Sequence, residues 1–397
     1  MKILVTSIVD LRKTSHNRLH QFIKHLSPNH SITVLSINDC WKSGQTDVGR
    51  YRAGVEDIIK DIAIRHFTEA GVSPYLQEVY SAVTLNRIMK EIDYAGFDIH
   101  LNYNALVSGY CVAGKMKAAG INTVFDIADD LPRMIRNSPQ IPAALRPVGS
   151  FIGRTLVNKN IRIAARVTSI TKSFRDSYRI PEDKFEFISN GVDTGLFRSQ
   201  PCQQLRQSLG VNSDFVIGYV GVLREWTDFE PVFTAIEHID RSKYRMKLLI
   251  VGEEGGIGRI KRLAGKHRIE DSVIFTGTVP YTRVPEYISC MDACLIPFNN
   301  GGVADSSVPL KLFEYMACEK PVICSRLTDV SRLAGDRVFY ASDGEEYHDN
   351  LIALYGNSEL REKAGVEGRK FVEQGYSWAK ILARLEEVLY EAREVSK

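Results

Sequence analysis

Short apolar runs rich in Val, Ile and Phe recur through the first half of the chain, at residues 3–9, 32–37, 99–103, 123–127, 167–170 and 185–188. Between them apolar positions return at helical spacing, as in 19–26, 82–92 and 109–119. Strand-like and helical patterns in alternation predict an α/β fold, a parallel sheet with helices on both faces. A polar stretch with turn residues, 199–214, reads as a linker, after which the alternation restarts at 215–220, 247–251, 273–276, 293–297, 322–325 and 338–340. The last segment, 376–390, places Trp378, Ile381, Leu382, Leu385, Val388 and Leu389 at helical spacing, with Ser377 as its cap. The pattern predicts a first Rossmann-like domain over 1–197, a second over 198–375, and a closing helix over 376–397.

Composition adds bounds. At 397 residues two domains are the default, and 44% apolar with 25% charged residues is the balance of a globular protein. No apolar run approaches the ~18 residues needed to cross a bilayer. The opening apolar run is too short for a secretory leader and reads as a buried first strand. Seven cysteines lie scattered without CxxC pairs or zinc spacing, and the histidines form no ligand cluster. Reduced cytoplasmic thiols and no protein-bound metal are expected.

Charge is uneven. Residues 1–190 carry 25 Lys and Arg against 18 Asp and Glu; the remainder carries 26 against 30. Residues 131–175 hold nine cations (Arg133 and Arg136 the first, Arg175 the last) and no acid, interleaved with Met134, Leu145, Phe151 and Ile152. That mixture suits an anionic membrane surface or a lipid-phosphate acceptor, or else a solvated helix leading into a buried strand. No nucleic-acid motif accompanies it, so no nucleic-acid partner is expected.

The densest chemical signal is the segment from Asp305 to Cys324, which reads as loop, helix and strand. Pro309 fits a first helical turn, and Ser306 or Ser307 is placed to cap it. A helix N-terminus offers free N–H groups and partial positive charge to phosphate. Lys311 would add a full charge there. Glu314, three residues on, could accept hydrogen bonds from sugar hydroxyls. The same residues would also make an ordinary amphipathic helix, with Leu310, Phe313, Met316 and Ala317 as its buried stripe.

This segment, Ser-Val-Pro-Leu-Lys-Leu-Phe-Glu-Tyr-Met-Ala followed by Lys-Pro-Val-Ile, resembles the donor-binding segment of glycosyltransferase family 4, retaining enzymes of the GT-B fold. The resemblance implies two Rossmann-like parallel-sheet domains facing across a cleft. It also implies a nucleoside-diphosphate sugar as donor, no cofactor, and a helix that holds the donor's diphosphate and ribose. The family's usual pair of glutamates is incomplete here: Glu314 matches the second, and the first falls on Ser306. Asn190-Gly-Val-Asp193 with Phe197 resembles the family's hinge entry. Gly218 to Phe229 occupies the place of the family's diphosphate-binding Arg and Lys, but those positions fall on Val222 and Thr227; Arg224 could substitute, or be a solvated loop residue. Trp226-Thr-Asp228 is similar to a form found in relatives acting on surface polysaccharides. The glycine-rich turn with Glu254 lies at the family's cleft floor, and Thr278 and Val279 at its base-contacting segment.

In the first domain, strand 123–127 runs into Asp126, Asp129 and Asp130. Strand C-termini face the ligand crevice of such sheets, so Asp129 or Asp130 could orient or deprotonate an acceptor hydroxyl, or simply cap a loop. The loop after the first strand occupies the place of the family's acceptor loop without its glycine pair. Arg12, Lys13 and Arg18 could pair with an acceptor phosphate, with His16 and Asn17 beside them, or Ser15 or Asn17 could cap the following helix. The expectation is a metal-independent transfer of sugar to a lipid-linked or cell-surface glycan acceptor at the cytoplasmic face of the membrane. A catalytically silent nucleotide-sugar-binding scaffold and a GT-B sugar-nucleotide epimerase are the alternatives. No complete dinucleotide fingerprint supports an oxidoreductase.

Overall fold

The two sets of apolar runs form two separate parallel sheets, one in each half of the protein. The computed structural model describes residues 1–14, 16–38, 55–68, 72–138, 141–252, 256–299 and 303–395. Contacts divide the chain into a first unit, Met1–Ser189 with Ile381–Lys397, and a second unit, Asn190–Lys380.

The first unit carries β1 (Lys2–Ser7), β2 (Ser31–Ser36), β3 (Ala63–His66), β4 (Ile99–Tyr103), β5 (Thr123–Ile127), β6 (Arg166–Ser169) and β7 (Phe185–Phe187). Their order in the sheet is β3-β2-β1-β4-β5-β6-β7, so the chain reverses direction across the sheet between β1 and β4. The helices are α1 (Arg18–Leu26), α2 (Glu56–Ile59), α3 (Pro74–Glu91), α4 (Val107–Ala118), α5 (Leu131–Asn137), α6 (Arg146–Ile163) and α7 (Ser173–Tyr178). Central strands β4 and β5 are buried along their whole length, with apolar Ile99, Leu101, Val124, Phe125 and Ile127 beside buried polar His100, Asn102 and Asp126. β3 was not legible in the pattern: it lies at the sheet edge, and its Ala-Ile-Arg-His sequence buries only Ile64.

The second unit repeats the plan with β8 (Phe215–Val220), β9 (Met246–Val251), β10 (Val273–Gly277), β11 (Ala293–Ile296), β12 (Val322–Cys324) and β13 (Phe339–Tyr340), in the order β10-β9-β8-β11-β12-β13. Around them lie α8 (Gln203–Ser208), α9 (Glu230–His238), α10 (Ile257–Lys266), α11 (Val284–Ser289), α12 (Leu310–Ala317), α13 (Thr328–Ala334), α14 (Gly344–Gly356) and α15 (Ser358–Gly375). The reversal falls between β8 and β11, and at such a switch point the strand ends leave a crevice for ligands.

The first boundary sits at 189/190 rather than 197/198. The reason is local pairing: the Val192 amide donates to the Tyr376 carbonyl, and the Trp378 amide to Val192. Arg369 then gathers the carbonyls of Thr194, Phe197 and Ala317. The closing helix, α16 (Trp378–Glu394), belongs to the first unit from Ile381 onward, where Glu386 meets His30 at 2.7 Å and Arg384 meets Glu186 at 2.7 Å. Among the described residues no helix is long and apolar enough to cross a membrane.

Candidate functional site

In the second unit the switch point is lined by glycine. Gly221 ends β8 with φ +129° and Gly252 ends β9 with φ +155°, backbone that L side chains rarely adopt. A Cβ on Gly252 would sit 2.1 Å from the Gly221 carbonyl oxygen, so the two strand ends touch through backbone. A Cβ on Gly221 would lie 3.3 Å from the Lys311 side chain. The strand ends are therefore bare peptide with a cation standing over them.

α12 places that cation. The Lys311 ammonium lies 4.7 Å from the Tyr219 ring centre, 4.9 Å from that of Phe298, and 3.3 Å from the Tyr219 hydroxyl. Among the described residues no carboxylate comes within ion-pair distance of it. Phe298 is fixed because the loops after β8 and β11 are joined: the Asp228 amide donates to Pro297 at 2.7 Å and the Asn299 amide to Trp226 at 2.8 Å. Arg259 on α10 donates to the carbonyls of Arg224 and Thr227, holding the same loop from the other side.

The helix is not the two-faced one its spacing allowed. Leu312 to Ala317 are all buried, Glu314 among them. The Val220 amide donates to the Tyr315 hydroxyl at 2.8 Å, locking α12 under the end of β8. Glu314 accepts from the Tyr281 hydroxyl at 3.1 Å. Burial pushes its carboxyl up to about 7, against the pull of that hydrogen bond and of Lys311. Tyr281 packs on the buried Phe197 ring, centroids 5.4 Å apart, and Asn190 donates to the Val308 carbonyl at 2.8 Å, just ahead of α12. The Asn190–Phe197 motif thus braces the helix and the partner of its carboxylate.

Other expected positions fall differently. Neither serine caps α12: Ser307 donates to the Ala304 carbonyl, and the cap position is Pro309, which has no side-chain acceptor. Ser306 closes a short 3₁₀ turn, Val303–Ser306. The first amides of the helix therefore have no side-chain cap. Arg224 is exposed on the β8 loop, and among the described residues its guanidinium makes no hydrogen bond or ion pair. Thr278 and Val279 follow Gly277, φ +71°, at the end of β10. Glu254 lies outside the described residues. The sequence reading missed Tyr219, Phe298 and Tyr281; aromatic residues within a few positions of strand C-termini were the available signal.

The first unit corrects several acceptor-side expectations. Arg18 is buried, bonded to both Asp126 oxygens at 3.2 and 3.0 Å and to the carbonyls of Ile188 and Ser189 at 2.6 Å. Its donors hold α1 to β5 and are not offered to an acceptor phosphate. Asn17 caps α1 through a reciprocal pair with His20, and His16 meets Gln21 at 2.8 Å. Asp130 caps α5 and accepts from the Tyr178 hydroxyl at 2.9 Å. Asp129 is exposed past the end of β5. Arg12 is exposed beside a cavity of about 520 Å³ that His66, Thr68 and Arg87 also line. Ser15 lies outside the described residues.

Two Rossmann-like parallel-sheet domains, the second with a cation over its glycine-lined switch point, are the architecture of GT-B proteins. Residues 203–371, within the second unit, match the family described as Glycosyl transferases group 1. The chain is 25% identical over 213 residues to the putative teichuronic acid biosynthesis glycosyltransferase TuaH of Bacillus subtilis, covering 52% of each. It is 25% identical over 233 residues to a GDP-mannose-dependent alpha-(1-6)-phosphatidylinositol monomannoside mannosyltransferase of Mycobacterium tuberculosis, covering 56% of this chain and 60% of that one. The chain spans about half the length of the curated relatives it matches. Its fold is similar to that of Anabaena HepE in complex with UDP-glucose, with TM-score 0.74, 16% identity, and 98% and 100% of the two chains covered.

Proposed function

We propose that this protein transfers a glycosyl group from a nucleoside-diphosphate sugar to a lipid-linked or cell-surface glycan acceptor, with retention, as a family 4 enzyme at the cytoplasmic face of the membrane. The observation that carries the reading is Lys311: a half-buried ammonium without a carboxylate partner among the described residues, over bare peptide at a switch point. Such a cation suits the diphosphate, which gains charge as the glycosyl bond breaks. The uncapped amides of α12 would add donors, exposed Arg224 on the loop after β8 would supply a second cation, and Glu314 would meet the ribose hydroxyls. Names of the relatives support the class: TuaH is described as a biosynthetic glycosyltransferase, and HepE was solved with UDP-glucose. In the first unit Asp129, exposed past β5, is the acid we assign to the acceptor hydroxyl.

The test is thermal stabilisation of the protein by a panel of nucleoside diphosphates and sugar nucleotides. Selective stabilisation by one base is expected. Turnover of that donor should survive a chelator, because protein cations take the charge, and the anomeric configuration of the product reports retention. No stabilisation by any nucleotide would overturn the reading.

A further inference from the structure

Among the described residues, most of the exposed large apolar side chains lie on the first unit. Of the ten large apolar side chains exposed among the described residues, eight lie on two of its helical segments. On α3 they are Leu76, Val79, Tyr80 and Val83, a stripe at helical spacing, 49 to 79% exposed. At the start of α6 they are Leu145, Val148, Phe151 and Ile152, 53 to 73% exposed. Scattered apolar residues need no explanation, but this concentration does.

The two patches belong to one layer. α3 and α6 both pack against α4, which lies between them. Glu78 on α3 receives the Val107 and Ser108 amides at the first turn of α4, and Asn160 on α6 donates to the Leu106 carbonyl just before it. Both helices are therefore braced on the same helix start.

Charge decides what can cover them. From Leu76 to Asn86 the one ionisable acid is Glu78, and its carboxylate is turned inward onto α4. α4 contributes Lys115 and Lys117 and no acid; residues 131–175 contribute nine cations and no acid. Arg136, Arg146, Arg154 and Lys159 make no ion pair with a carboxylate among the described residues. A second copy docked through the same face would set cation against cation, since a two-fold contact pairs a surface with itself. An apolar surface with unpaired cations at its margins fits a lipid bilayer with anionic headgroups, where side chains enter the acyl boundary and cations meet phosphate.

We propose that α3 and the start of α6 form a single docking surface for anionic membranes, with Val83 and Phe151 as its two anchors. It extends the expected basic segment by the apolar stripe of α3, whose stretch from Leu76 to Asn86 holds Glu78 as its one charged residue.

The test uses the full chain and vesicles of phosphatidylcholine with and without phosphatidylglycerol. Sedimentation with the anionic vesicles is expected, weakening with salt. Val83→Glu and Phe151→Glu should each weaken it about tenfold or more, by the burial a large apolar side chain gains. Both side chains are exposed, so the thermal midpoint and nucleotide-induced stabilisation should be unchanged, which separates this proposal from the donor reading. Absence of binding to anionic vesicles, or binding indifferent to both substitutions, overturns it. Self-association in solution that these substitutions abolish would overturn it too, by showing a second copy as the occupant.

Discussion

The Tyr281 hydroxyl donates to a Glu314 carboxylate oxygen at 3.1 Å, and the tyrosine ring is held from behind by Phe197. The carboxylate we assign to the ribose is thus oriented by a residue on a different helical turn, itself fixed by the motif near Asn190. Tyr281→Phe removes a hydrogen bond to a charged group, which would weaken nucleotide binding about tenfold at neutral pH. It should also move the pH dependence of binding to the alkaline side, since the bond holds the Glu314 carboxyl down. Calorimetric titration across pH distinguishes this from simple loss of packing, which would leave the profile where it was.

Glu314 itself gives a second prediction. Its carboxyl stands at about 7 in the folded protein against 4.5 when free, so the folded state holds the extra proton. Its contribution to stability therefore declines as pH rises from 4.5 towards 7. Glu314→Gln should stabilise the second unit at pH 8 by roughly 1–3 kcal/mol while abolishing carboxylate contacts with donor. Urea melts at pH 8 and pH 5 would measure it; a variant less stable than wild type at pH 8 would sink the account.

Lys311 carries the donor reading. Lys311→Ala is expected to weaken nucleotide affinity tenfold or more and to cost about 1 kcal/mol of stability, the scale of a partly exposed cation–π contact. Equal affinity in a folded variant would remove the site from α12.

The glycine contact at the strand ends makes a structural prediction. Gly252→Ala would push a Cβ to 2.1 Å from the Gly221 carbonyl and should cost more than about 3 kcal/mol. Gly210→Ala is the control: its φ is +70° but nothing lies within 4 Å, so only the backbone penalty of about 1–2 kcal/mol applies. Paired thermal melts of the two variants test the difference.

The first unit should be the acid-sensitive one. Burial lowers His20 to about 4 and His100 to about 3, so both are neutral in the fold. Unfolded, they take up protons below about 6.5, so stability is full above that pH and falls as pH drops towards 4. Hydrogen exchange of β1 and β4 at pH 7.5 and 5 would show it, since His100 joins those strands to Thr6 at 2.8 Å. Protection unchanged between the two pH values would contradict it.

Central strand β8 was legible because burial on both faces selects apolar residues, as in Phe215–Val220. Edge strand β3 was not, because one buried side chain in four leaves no pattern. Lys311 and Glu314 could be named from the segment around them, but their surroundings could not. Tyr219, Tyr281 and Phe298 come from three separate loops and strands, and only the fold brings them together. Arg18 and Asp130 misled for the reverse reason: a charged residue near a strand end looks functional until its partners are seen.

The aromatic cradle of Lys311 has a consequence for how quickly the site can be filled. A lysine paired with a carboxylate must surrender that partner before it greets an anion, and the exchange has its own barrier. Here two ring faces hold the ammonium without neutralising it, so the diphosphate we assign to this cation would displace no carboxylate among the described residues.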